Sequence, residues 1–453
     1  GPAVGAKALP LWMALLIAAV CEVAGALIAG SEVVGTIRGG IIDPKKIADA
    51  QTFVWLMLAA LFAAALWLNI ATSGGAPVST THSIVGAVLG AGLAAAGVKA
   101  VHWEMLGNIV LSWVVSPVMG GIIAAGFLYL LKHLITYRQD KAGAARRFIP
   151  WIVATMSFVF TTYLLLKGLN IYKTGLPTAL GVGAGVAALV FVLTRFRYHP
   201  DRNLAIENSR HGVNRLFTVP LIFAAGLLSF AHGSNDVANA VGPLAAIIDT
   251  VHQTTEIAKS ANVPLWVLVM GGIGIAFGLA LFGPRLIRTV GTEITELDPM
   301  RAFAVAMAAA ITVIIASQLG LPVSSTHIAV GGVFGVGFLR EYLKTNYARM
   351  LEEICRQYPE TTRAELDAFV DRFENATFKE RGEILRELKL RQKKEEESVP
   401  LTKVDRKTLK SVYKTELVKR SLVIRIAAAW VITVPASAIL AAMLFYMLRG
   451  MLL

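Results

Sequence analysis

Pro77-Val78-Ser79-Thr80-Thr81-His82 returns 245 positions later as Pro322-Val323-Ser324-Ser325-Thr326-His327, each time inside a strongly apolar stretch. The flanks match as well. Ala71-Thr72 and Ala316-Ser317 precede the two copies, and Val85-Gly86 and Val330-Gly331 follow them. Proline removes a helical N–H donor, and the hydroxyls need partners. At membrane depth such a break survives only where it is buried in protein or lines a cavity. Two copies at corresponding places in two halves of one chain point to a transport site built where internal repeats meet.

The rest of the chain has the composition of an integral membrane protein, with mean hydropathy +0.62, 55% apolar residues and 16% charged ones. Stretches long enough to span a bilayer run at about 8–30, 52–71, 106–131, 148–166, 175–194, 216–231, 264–284, 302–319 and 422–448. The stretches after the two copies, about 83–98 and 328–339, are shorter and glycine-rich, and suit half-helices or hairpin arms. The net charge of +13 sits mostly in loops between spans. That is the positive-inside pattern, so no nucleic-acid partner is expected. Cys21, within a span, and Cys355, in a charged loop, offer neither a disulfide framework nor metal-ligand spacing. No cleavable signal peptide is read at the start.

The halves share more than the hexapeptide. Pro10-Leu11-Trp12 matches Pro264-Leu265-Trp266, Gly35-Thr36 matches Gly291-Thr292, and Asp43-Pro44 matches Asp298-Pro299. Trp113 and Pro117 have counterparts in Trp430 and Pro435. The expected organisation is a first membrane repeat over 1–134, two linking spans with their loops over 135–215, and the main part of a second repeat over 216–339. A charged insertion over 340–420 and a last span over 421–453 complete it. Gly242-Pro243 follows the string Gly233 to Ala240 in the second half, whereas Gly1-Pro2 opens the first, so the first repeat is expected to lack its opening helix.

Loop 132–147 carries Lys132, Arg138, Lys141, Arg146 and Arg147, and loop 195–215 carries Arg195, Arg197, Arg202, Arg210 and Arg215. Both are expected on the cytoplasmic side, with only Lys167 and Lys173 in the loop between. Five passes per full repeat and two between repeats then set the copies in opposite orientations. Loop 31–51, external in this scheme, runs against the trend with Arg38, Lys45 and Lys46. Residues 340–420 hold 20 Lys/Arg and 16 Asp/Glu and read as a solvated cytoplasmic helical insertion.

Asp236 lies between two apolar runs, and an acid at that depth is a functional-site candidate by default. The Gly233-Ser234-Asn235-Asp236 stretch would let the helix unwind and bare carbonyls beside the Asn235 and Asn239 amides. Hard oxygens of this kind suit Na⁺, with a proton on Asp236 as the alternative. As plain structure, the same residues would cap a core helix. Ser79, Thr80 and Thr81, like Ser324, Ser325 and Thr326, would open half-helices. There free N–H groups, hydroxyls and the positive dipole end suit a tetrahedral oxyanion, while ordinary capping is the alternative. His82 and His327 would either bond the anion or tie the hairpin backbone to a neighbour, the structural role being the better fit. Glu22, mid-span and matched to Ala276, would join the cation site or pair with a buried donor. Thr72 and Ser317 are supporting candidates at matching positions, and Trp113 and Trp430 read as packing.

The string Gly233-Ser234-Asn235-Asp236-Val237-Ala238-Asn239-Ala240, with the two Pro-Val-Ser-[Ser/Thr]-Thr-His elements, resembles the inorganic phosphate transporter (PiT) family. The resemblance covers nearly the whole chain except 340–420. It implies an all-α integral membrane protein of about twelve membrane segments, in two inverted-topology repeats with broken helices and hairpins. It also implies sodium- or proton-coupled phosphate uptake by a homodimer in the cell membrane, a substrate-carrying domain moving against a scaffold. By the same resemblance Asn235, Asp236 and Asn239 bind the coupling cation, with Glu22 where the family often carries an acid. The six hydroxyls Ser79, Thr80, Thr81, Ser324, Ser325 and Thr326 bind phosphate, and no cofactor is needed beyond the coupling ion. A first Asn-Asp element is the one part of the family pattern not found.

The expected function is therefore phosphate import by cation symport, Na⁺ favoured over H⁺, with alternating access between the repeats. The family also contains sulfate carriers, so a sulfate or other oxyanion permease is the first alternative, and a non-concentrative phosphate channel or sensor the second. No P-loop, metal-ligand cluster or nucleophile–base pair stands out, so an enzyme is not expected.

Overall fold

The computed structural model describes residues 2–73, 78–168, 175–199, 206–252, 263–293, 297–344 and 420–452. Pro77, Lys173, Arg202, Cys355 and most of the charged insertion lie outside them. The described residues are almost wholly helical, with one isolated antiparallel bridge between Ile42 and Val101. The longer helices are α2 (Leu11–Ala29), α4 (Ala50–Ser73), α6 (Trp103–Leu131), α7 (Lys141–Tyr163), α8 (Leu176–Arg197), α12 (Leu265–Glu293), α13 (Pro299–Gln318) and α15 (Arg420–Leu452). Between them stand the short α1 (Pro2–Gly5), α3 (Ser31–Gly35) and α9 (Arg210–Leu216). The remaining four are α5 (Thr80–Ala96), α10 (Thr218–Asp236), α11 (Ala238–His252) and α14 (Ser325–Lys344).

The eight longer helices each contain a segment long and apolar enough to cross a bilayer. Large apolar side chains such as Val114, Val118 and Ile122 on α6 point outward, as lipid-facing residues do. This is a multi-pass membrane protein. Of the nine apolar stretches, 216–231 alone is not among the eight. It forms most of α10, whose last turns carry His232, Ser234, Asn235 and Asp236 and so dilute its apolar character.

Burial separates the helices by role. The apolar window of α13 is 83% buried and that of α8 only 11%, so α13 is interior and α8 peripheral. Asp298 caps α13 by accepting the Arg301 N–H at 3.0 Å, and Pro299 takes the first turn, where no N–H is needed. The helix ends on Gly320, at φ +66°, with Leu321 N–H on the Ala316 carbonyl and Gly320 N–H on that of Ser317. A left-handed residue here frees the chain to turn sharply into the second copy of the repeated element.

Helices α5 and α14 pack through glycine; at 17 and 20 residues they are longer than the half-helices expected over 83–98 and 328–339. A Cβ on Gly86 or Gly90 of α5 would run into the backbone of Val434 or Ala438 on α15. A Cβ on Gly331 or Gly335 of α14 would run into that of Pro117 or Gly121 on α6. The two seams use matching positions of the two halves, because without a hydrophobic drive in lipid, helix association depends on close approach. A second compact unit, 337–419, is described only over its first residues, which continue α14.

Candidate functional site

Gly25 of α2 faces the Phe230 backbone, and Gly233 of α10 faces that of Glu22, with no room for a Cβ at either. This approach brings Glu22 Oε1 to 3.0 Å from His232 Nδ1. One turn on, Asp236 Oδ2 lies 3.4 Å from His232 Nε2, so one imidazole links the two acids. Sequence reasoning passed over His232. Its signal was the spacing of four from Asp236, which puts both on one face of a helix.

Helix α10 runs intact to Asp236, and only Val237 separates it from α11. The unwinding expected over Gly233–Asp236 is therefore confined to one residue, which still donates its N–H to the Gly233 carbonyl at 3.3 Å. Helical geometry is enough, because Asp236 and Asn239, three apart, share a face toward α5.

Ser79 ends an extended segment and caps α5, accepting the His82 N–H at 3.2 Å, and its Oγ also meets His82 Nδ1 at 2.9 Å. Thr80 follows and donates to Asp236 Oδ2 at 2.8 Å, while Asn239 Nδ2 donates to the Thr80 and Thr81 hydroxyls at 3.2 and 3.3 Å. The Asn-Asp element and the first Pro-Val-Ser element are thus in direct contact.

The second element lies on the other side. Its extended residues Leu321, Pro322 and Val323 have their polar groups met by three side chains. Asn235 donates to the Leu321 carbonyl at 3.2 Å and accepts the Val323 N–H at 3.2 Å, and it also donates to Ser317 Oγ at 2.9 Å. Trp113 Nε1 donates to the Pro322 carbonyl at 2.9 Å, and Thr81 Oγ1 to that of Val323 at 3.0 Å. Irregular backbone at membrane depth is tolerated on just these terms. Ser324 accepts the His327 N–H at 3.4 Å, and Ser325 and Thr326 open α14 with no side-chain hydrogen bond among the described residues. Thr72, the counterpart of Ser317, stands half-buried near the end of α4, outside this bonded cluster.

His82 stacks on Trp113 at a centroid distance of 3.7 Å, and His327 on Trp430 at 3.4 Å. The two imidazoles meet at 4.6 Å, so four rings form a seam between α5 and α14.

Three buried oxygens of the acid-and-amide group have no hydrogen-bond partner: Glu22 Oε2, Asp236 Oδ1 and Asn239 Oδ1. Unmet oxygens at such depth are costly, and a hard cation would satisfy them. Asn235 spends both amide hydrogens, on Ser317 and the Leu321 carbonyl, and takes the Val323 N–H on its oxygen, so it braces the second element.

Fold and site together define a membrane transport protein, with a helix-embedded acid joined to hydroxyl-lined helix N-termini. A family profile described as the phosphate transporter family matches residues 1–441, and the chain belongs to that family. It is a transporter family, not one of enzymes. The "Putative phosphate permease" of Helicobacter pylori strain J99 is 52% identical over 452 residues, covering 98% of this chain and 84% of the relative. The Pyrococcus abyssi protein of the same description is 39% identical over 341 residues, 75% of this chain and 82% of the relative. A solved structure called the sodium-dependent phosphate transporter superposes with a TM-score of 0.78 at 30% identity, over 99% of this chain and 92% of that one.

Proposed function

We propose that this phosphate transporter works as a Na⁺-coupled importer, with alternating access between two inverted repeats and assembly as a homodimer. The contact of Thr80 with Asp236 is the observation that carries this reading, because one hydroxyl of the anion element is bonded to the acid of the cation element. Na⁺ would take Asp236 Oδ1 and Asn239 Oδ1, two of the oxygens left without partners, with Glu22 across the His232 ring from that pair. Phosphate would enter between the N-termini of α5 and α14, taking hydroxyls from Thr80, Ser325 and Thr326 together with backbone N–H groups. Ser79, Thr81 and Ser324, already bonded within the protein, would hold those N-termini in place. A dianion entering a dry site needs cationic charge beside it, so each ligand raises the affinity of the other. The name of the superposed structure supports sodium.

Labelled-phosphate uptake into proteoliposomes, with an inward Na⁺ gradient against a choline gradient at equal pH on both sides, tests the reading. Concentrative uptake with Na⁺ alone is expected. Equal uptake in choline would remove sodium coupling, and block by sulfate as strong as by phosphate would reassign the anion.

A further inference from the structure

Away from the transport site, the N-terminus of α7 and the C-terminus of α8 border a half-open cavity of about 820 Å³. Arg146 and Arg147 line it from α7, Arg195 from the last turn of α8, with Asp140, Gly143 and Asn208 at its floor. The floor is already satisfied. Asp140 Oδ1 accepts the Gly143 N–H at 2.8 Å, and Asn208 Oδ1 accepts those of Lys141 and Ala142 at 2.7 and 3.2 Å. The helix N-terminus therefore has little left to offer, and the exposed guanidinium groups of Arg147 and Arg195 set the character of the cavity, with Arg146, which already has a partner, behind them.

The surroundings name the class of ligand. One turn before Arg195 and on its side of the helix, α8 presents Val192, half exposed, and Leu189, Leu193 and Phe196 continue the exposed apolar surface round a helix that is scarcely buried in the protein. Trp151, one turn beyond Arg147 on α7, is likewise exposed, and its ring meets Phe191 at 4.5 Å. An exposed apolar helix with a basic cavity at its end, and the Trp151–Phe191 pair on the side facing α7, match a molecule with acyl chains and an anionic head. Free phosphate has no use for the apolar surface.

We infer that the Arg146–Arg147–Arg195 cavity is a binding site for the phosphate head of an anionic phospholipid whose chains lie along α8. Guanidinium groups grip phosphate oxygens in pairs, and a basic pocket between helix ends on the side rich in Lys and Arg faces the anionic leaflet.

The test titrates the full chain in mild detergent with short-chain phosphatidylglycerol, short-chain phosphatidylcholine and inorganic phosphate, following bound species by intact-complex mass spectrometry. Phosphatidylglycerol is expected to bind in preference to phosphatidylcholine. Affinity should fall about fivefold for Arg147→Gln or Arg195→Gln, and on the order of a hundredfold when Arg146 is changed as well. Both single variants alter exposed side chains, so they keep the test open should the triple variant fail to fold. Equal binding of the two lipids, or an unchanged affinity in the variants, overturns the site. The phosphate arm compares each arginine variant with its parent, so that binding at the transport site cancels. Arginine-dependent phosphate binding there, without lipid preference, overturns the lipid as occupant.

Discussion

Thr80 divides one hydroxyl between Asp236, which accepts its proton, and Asn239, which donates to its oxygen. Phosphate taking that proton would strip Asp236 of a donor at the moment a second negative charge arrives, and a bound cation would make good the loss. Asp236→Asn removes the charge while nearly keeping the shape. Phosphate uptake should fall at least about tenfold, since hydrogen bonds to charged groups are the strong ones, with the variant still monodisperse on size exclusion. Near-normal coupled uptake would sink the assignment of Asp236. Asn235 should behave differently. Asn235→Ala strands the Val323 N–H and the Leu321 carbonyl, so the expected loss is about 1–3 kcal/mol of stability, read as a lower Tm in detergent. An unchanged Tm would mean that the second element does not need its brace.

At the scale of elements, caps and seams carry the fold. Asp49 caps α4 outside the membrane, taking the Thr52 N–H at 2.7 Å and the Thr52 hydroxyl at 2.8 Å. Those bonds hold its carboxyl below the ordinary carboxylate range. The folded value is the depressed one, so the stability it lends is present above pH 4 or so and fades as pH falls through the folded value. Asp49→Ala should cost about 1 kcal/mol at neutral pH and progressively less as the pH falls below the ordinary carboxylate range, a trend that a series of thermal melts would reveal. The glycine seams are less forgiving. Gly335→Val or Gly90→Val should lower the Tm by the equivalent of about 1–3 kcal/mol, because backbone cannot yield as a side chain can. A Tm equal to the parent would contradict the close approach.

These elements also show how far the sequence could be read. Helix starts after the two Pro-Val-Ser copies were legible because Ser and Pro punctuate helices by local geometry alone, whereas the length of α14, 20 residues, was not. The matched Trp113 and Trp430 were legible as partners in packing, but not as the rings on which His82 and His327 stack, since stacking depends on how distant helices meet. Asp236 stood out as an acid in an apolar setting. Its link to Glu22 through His232 did not, because it depends on Gly25 and Gly233 letting two helices touch.

For the whole molecule, coupling must appear as reciprocity. If Na⁺ tightens phosphate binding by some factor, phosphate must tighten Na⁺ binding equally, typically 5–150-fold. Calorimetric titration of each ligand with and without the other would measure both factors, and the absence of mutual effect would argue against a shared site. The glycine seams carry a different consequence. Helix α5 comes from the first half of the sequence yet lies against α15 near its end, while α14 from the second half lies against α6 from the first. The two halves of the sequence are interlaced, each lending a rod to a long helix of the other, so neither half is a finished solid. Severed between Tyr198 and Ile206, the fragments should each be degraded when made alone and recover phosphate uptake only when made together.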